Sequence, residues 1–197
     1  MKNKTSLALT LPVIFAPMLY GIAMYSRLPS VLATHWGMQN QVNGTMPKAW
    51  FLFATPFLMA LFQAVVILVP RKKAAAPRFE RMVIWIMPVI TLVAYITTVQ
   101  INLGHAWDIR RIAMLLVTAV MLAMGNYLPT VSPDYQNYKL VMQHIAKRPD
   151  AKRVYRRMGH VMVGFGILAL ISIFLPPIAS IIVIAAMIVV MLIMPFI

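Results

Sequence analysis

A lysine stands thirteen positions after a histidine in the polar stretch 27–49, and between them stand most of the groups able to make specific contacts. The stretch carries His35, Trp36, Asn43, Gly44 and Lys48. Imidazole and amide offer both donors and acceptors, and an ammonium offers donors alone. Trp36 adds a large amphipathic ring, a side chain favoured at binding hot spots. Such a set suits recognition of peptide carbonyls, a carboxylate or a lipid headgroup. His35 has a plainer reading too, as a loop histidine bonded to a nearby backbone carbonyl. Asn43-Gly44 is a turn dipeptide, and Gly44 is expected to take a positive φ that returns Lys48 toward His35.

Groups for covalent or acid–base chemistry are scarce. The chain has no cysteine and four acidic residues, Glu80, Asp108, Asp134 and Asp150. All four fall in loops or near helix ends, so neither an enzyme nor a carboxylate-based proton path is expected. His35, His105 and Asp108 are metal-ligand types without tight ligand spacing, so no metal site and no cofactor is expected. Gln63, Gln100 and Asn126 lie inside or at the edge of apolar runs. An amide there either bonds a neighbouring helix or meets a substrate. The second option keeps a small-molecule or lipid transporter, or a subunit of one, as the alternative reading.

The elements that position these groups are helices in a bilayer. The 197 residues are 61% hydrophobic and 11% charged. Several uncharged runs approach the twenty or so residues that cross a hydrocarbon core. The expected fold is all-α: one polytopic transmembrane domain, 1–197, with helices near 7–26, 50–69, 82–101, 109–127, 158–175 and 178–196. Residues 1–24 resemble a signal peptide without a convincing cleavage site and are read as a retained first helix.

The net charge of +14 does not point to nucleic acid, because the basic residues flank apolar spans. Fourteen of the eighteen fall on alternate segments that share one side of the membrane. By the positive-inside rule both termini are cytoplasmic, the 27–49 loop is outside and the 130–157 loop is inside. A short interfacial helix is expected at 138–147, and Asp150 is a candidate helix N-cap. Lys147, Arg148, Lys152, Arg153, Arg156 and Arg157 form a surface for anionic headgroups or a cytoplasmic partner.

The spacing also carries a resemblance. His35-Trp36, Asn43-Gly44 and Lys48, with Leu28-Pro29 before and Pro56 after, resemble the N-terminal membrane domain of the Sdp toxin immunity family. Gly125-Asn126 and the run Tyr155-Arg156-Arg157-Met158-Gly159-His160 continue it. That family often has Gly where this chain has Asn40. The resemblance implies a multi-pass protein of the bacterial cell membrane that protects against a secreted peptide toxin. It also implies signalling through a cytoplasmic transcriptional repressor at the basic loop.

Overall fold

The computed structural model describes residues 3–68, 76–132, 145 and 148–196. Six helices among them are long and apolar enough to cross a membrane. The protein is an all-α, polytopic membrane protein, with one small hairpin as its sheet among the described residues. Helix α1 spans Asn3–Ala23, and strands β1 (Val31–Trp36) and β2 (Val42–Pro47) follow. A π-helical turn, Trp50–Ala54, leads into α2, Thr55–Leu68. Then come α3 (Pro77–Asn102), α4 (Ile109–Tyr127), α5 (Ala151–Ser172) and α6 (Pro177–Ile193).

Two helices begin earlier than hydropathy alone suggests. Helix α3 starts at Pro77, not at 82, because proline suits the first helical position and Glu80 favours the first turn. Helix α5 starts at Ala151, not at 158. Its first turns are amphipathic: Ala151, Val154, Tyr155 and Met158 are buried, while Lys152, Arg153, Arg156 and Arg157 are exposed. The interfacial helix expected at 138–147, with Lys139 and Lys147, lies outside the described residues.

The chain divides into two compact units. The first is Met1–Val69 with Ile84–Ala113, and the second is Pro70–Val83 with Met114–Ile197. The core of the first unit holds Leu28, Leu32, Phe51, Leu52, Tyr95 and Val99. Two prolines explain its polar bonds. Proline has no N–H for the carbonyl four residues back. Pro56 therefore leaves Leu52 O without its α-helical donor, and the Tyr95 hydroxyl of α3 donates to it at 3.2 Å. Pro88 likewise leaves Ile84 O, and Gln63 Nε2 of α2 donates to it at 2.8 Å. Each helix thus repairs the other's proline defect. Gly21 of α1 makes room for this arrangement, since a Cβ there would run into the Tyr95 hydroxyl.

In the second unit α4 and α5 touch backbone to backbone. A Cβ on Gly125 would lie 2.9 Å from Gly159 O, and one on Gly159 would lie 2.6 Å from Gly125 O. Small residues allow this approach, as in other membrane helix pairs. Around the tight Pro176-Pro177 turn, the buried hydroxyls of Ser172 and Ser180 bond to each other at 3.0 Å.

Candidate functional site

The polar stretch after α1 is an antiparallel hairpin, and its register decides what each expected contact residue does. Val31 pairs with Pro47, Leu32 with Met46 and Ala33 with Thr45; after an irregularity, His35 faces Gly44 and Trp36 faces Val42. The expected turn at Asn43-Gly44 is not where the chain reverses. The reversal runs from Gly37 to Gln41: Gly37 N–H donates to Gln41 O at 2.8 Å, and Asn40 N–H donates to Gly37 O at 3.0 Å. Asn40, not Gly44, holds the positive φ, at 61°. Asparagine enters that region more readily than most side chains. Gly44 is small for another reason. It sits within β2, where a Cβ would lie 2.8 Å from His35 Cβ. His35 Nδ1 in turn is hydrogen-bonded to Asn43 Oδ1.

Three anchors mount the hairpin on the ends of the first unit's helices. Asn102, at the C-terminal end of α3, acts as a stand-in for a third strand. Its Nδ2 donates to Ala33 O at 2.9 Å, and its Oδ1 accepts Ala33 N–H at 2.8 Å. The same Nδ2 reaches Thr98 O at 2.8 Å. At the tip, Asn40 Nδ2 donates to Asp108 Oδ1 at 3.0 Å, and Asn40 Oδ1 accepts Arg110 N–H at 3.2 Å. At the base, Lys48 Nζ donates to Tyr25 O at 3.0 Å and Leu28 O at 3.2 Å. It also lies 4.3 Å from the Tyr25 ring centroid. An ammonium over the carbonyls that follow a helix end is a favourable cap. Lys48 is therefore committed to the base of the hairpin, where its ammonium holds the chain leaving α1.

Asp108 is the charged centre of the tip anchor. Partial burial works upward on its carboxyl. The Asn40 hydrogen bond, the Arg111 backbone bond and the charges of Arg110 and Arg111 outweigh that and hold it below its ordinary value. Arg111 Nε closes an ion pair with it at 3.0 Å. His105, in the same loop, lies near Trp107, with ring centroids 6.5 Å apart. Among the described residues no three His, Cys, Asp or Glu side chains gather closely enough to hold a metal ion.

What the mount leaves open is an apolar and aromatic rim. Leu32 points inward and is fully buried. Val31, Met38, Val42 and Met46 are exposed, as is Trp50 where β2 meets the π-helical turn. His35 is exposed between them and Trp36 is half-buried. Trp50, Phe53 and Phe57, with Ala49 and Ala54, line a shallow apolar groove beside this rim.

The other expected residues lie elsewhere. Gln63 is fully buried, and its Oε1 has no partner among the described residues; the same holds for Gln100 Oε1. Asn126 is exposed near the end of α4. Arg148 is tied to Asp150, whose carboxylate accepts Nε at 2.9 Å and Nη2 at 3.3 Å. Asp150 occupies the N-cap position of α5 without making a side-chain cap bond. Its carboxyl is held below its ordinary value, chiefly by the Arg148 hydrogen bond.

Sequence reasoning passed over Asn102 and Tyr25, and met Asn40 only as a place where the resembled family often has Gly. Asn102 had one local signal, an amide ending a long apolar helix. Its partner lies 69 positions away.

Fold and site together define a helical membrane protein that carries a small, rigidly mounted β-hairpin between its first two spans. Residues 4–60 match a family described as a domain of unknown function, DUF1648. That match takes in nearly all of α1, the hairpin, the π-helical turn and the start of α2. No curated protein and no solved structure matches the chain.

Proposed function

We propose that the hairpin unit is a receptor surface on the outer face of a bacterial cell membrane, and that it protects the cell by binding a secreted peptide toxin. The carrying observation is the contrast between mount and rim. Three polar anchors hold the hairpin, while Val31, Met38, Val42 and Met46 stay exposed on it and Trp50 stays exposed beside it. Exposed apolar side chains gathered on a polar, loop-derived element suit an amphipathic peptide. The DUF1648 match is consistent with this reading, since that domain also occurs in membrane proteins resembling the Sdp immunity family. The contact residues are then His35 and Trp36 with the apolar rim. Asn43, Gly44 and Lys48 shape the surface rather than touch the toxin. Signalling to a cytoplasmic repressor would use the exposed cations at the start of α5.

The test is a survival assay. Cells sensitive to a peptide-secreting strain are made to express the chain and are exposed to that strain's secreted peptide fraction. His35→Ala and Trp36→Ala should each lower the protective titre at unchanged membrane abundance. Wild-type cells that die as readily as cells lacking the chain would refute the reading. A transporter remains the second reading. Its support is the pair of buried, unpartnered amide oxygens of Gln63 and Gln100, and uptake of a labelled substrate would be its signature.

A further inference from the structure

A cavity of about 540 Å³ opens in the second unit at the start of α5, lined by Pro129, Pro149, Asp150, Lys152, Arg153 and Arg156. We propose that it binds the phosphate of an anionic phospholipid headgroup. This goes beyond the hairpin reading and stands or falls independently of it.

Charge is the first argument. Among the described residues, three cations line the cavity against one carboxylate, and that carboxylate is already engaged by Arg148. Among the described residues, Lys152 and Arg156 have no ion-pair partner, and Arg153 acts on Asp150 only as a nearby charge. Lys152 and Arg156 are four positions apart on a helix, where like charges repel. No acidic residue offsets them in the first turn of α5. The cluster is unfavourable alone and becomes favourable once a phosphate sits among it. Arginine forks meet phosphate oxygens in pairs, and a lysine adds a point charge.

Size and depth give the second argument. The cavity falls in the range of small-molecule sites, larger than a bare ion needs. It opens beside Ala151, where the apolar span Ala151–Ser172 begins. The end of a span lies at headgroup level. Pro129 and Pro149 give the walls apolar surface for a glycerol backbone.

The test is native mass spectrometry of the purified full chain in detergent. Short-chain phosphatidylglycerol, phosphatidylcholine and free glycerol phosphate are added in separate arms. One phosphatidylglycerol should be retained saturably and in preference to phosphatidylcholine. Lys152→Gln, Arg153→Gln and Arg156→Gln should each weaken retention by about tenfold, the scale of one lost charge-assisted hydrogen bond. Arg78→Gln removes an exposed charge of the same unit that does not line the cavity, and it should change nothing. Arg153→Lys keeps the charge without the fork and should fall between wild type and Arg153→Gln. Thermal melts followed by circular dichroism confirm that each variant is folded. Equal losses from Arg78→Gln and the three lining variants would mean diffuse surface attraction and would overturn the proposal. So would equal retention of the two lipids. Glycerol phosphate binding without lipid preference would give the cavity to a soluble phosphate ester and overturn the lipid assignment.

Discussion

Lys48 shows how one side chain can be right in place and different in role. Its spacing from His35 suggested a binding anchor, yet its ammonium faces the carbonyls of Tyr25 and Leu28. Replacing it with Met should destabilise the hairpin by about 1.5–3 kcal/mol, the range for hydrogen bonds to a charged group. Faster amide exchange at Leu32 and Met46 would report this. Loss of protection with hairpin exchange unchanged would instead return Lys48 to the contact surface. Asp108 offers a pH test with a defined sign. Its carboxyl is held below its ordinary value, so its contribution is present above the ordinary carboxylate range and is lost as pH falls through its own lowered value. The tip anchor should hold at neutral pH and release only in strong acid, with amide exchange at Asn40 as the readout. Asp108→Asn should remove that acid step. Release already near neutral pH would show that another group controls the tip. The polar side chains of the hairpin were legible as a group because they crowd one short stretch. The turn was not. Asn43-Gly44 is a common reversal signal, but close cross-strand packing against His35 also selects glycine, and the two causes look alike in a sequence.

Among the elements, the α2–α3 pair depends on two prolines that hydropathy treats as mere interruptions. The expected interhelical bond from Gln63 exists, and its acceptor is the carbonyl that Pro88 leaves open. A double-mutant cycle follows. Gln63→Leu should cost about 1–3 kcal/mol by leaving Ile84 O bare in the core. Pro88→Ala restores a backbone N–H to that carbonyl and should recover much of the loss. Unfolding in mixed micelles measures all four species. Additive costs, with no recovery in the double variant, would refute the repair mechanism. Tyr95→Phe paired with Pro56→Ala tests the second repair in the same way. Span number was legible because each apolar run is long. Span starts were less so. The charged first turns of α5 fall below any hydropathy threshold, although their buried face follows helical spacing.

For the whole molecule the question is which side of the membrane each surface faces. The six spans answer part of it by counting. Met38, on the hairpin, and Lys152, at the start of α5, are separated along the chain by α2, α3 and α4. Three crossings would put the two residues on opposite faces, whichever way the chain inserts. The basic residues then choose between the two orientations. By the alternation of spans fourteen of eighteen would share the Lys152 side, and retention of Lys and Arg in the cytoplasm would put that side within. Met38 is 57% exposed, so a cysteine there is open to reagent from its own side. The natural chain has no cysteine, so single Met38→Cys and Lys152→Cys variants give an unobstructed signal. In intact cells an impermeant maleimide should label only Met38→Cys. In inverted vesicles it should label only Lys152→Cys. Labelling of both from one side would remove a span from the count. The reverse pattern would keep the six spans but place the hairpin in the cytoplasm, out of reach of a secreted peptide. The receptor reading would then fail. The phosphate cavity would face outward, and its lipid would have to come from the outer leaflet.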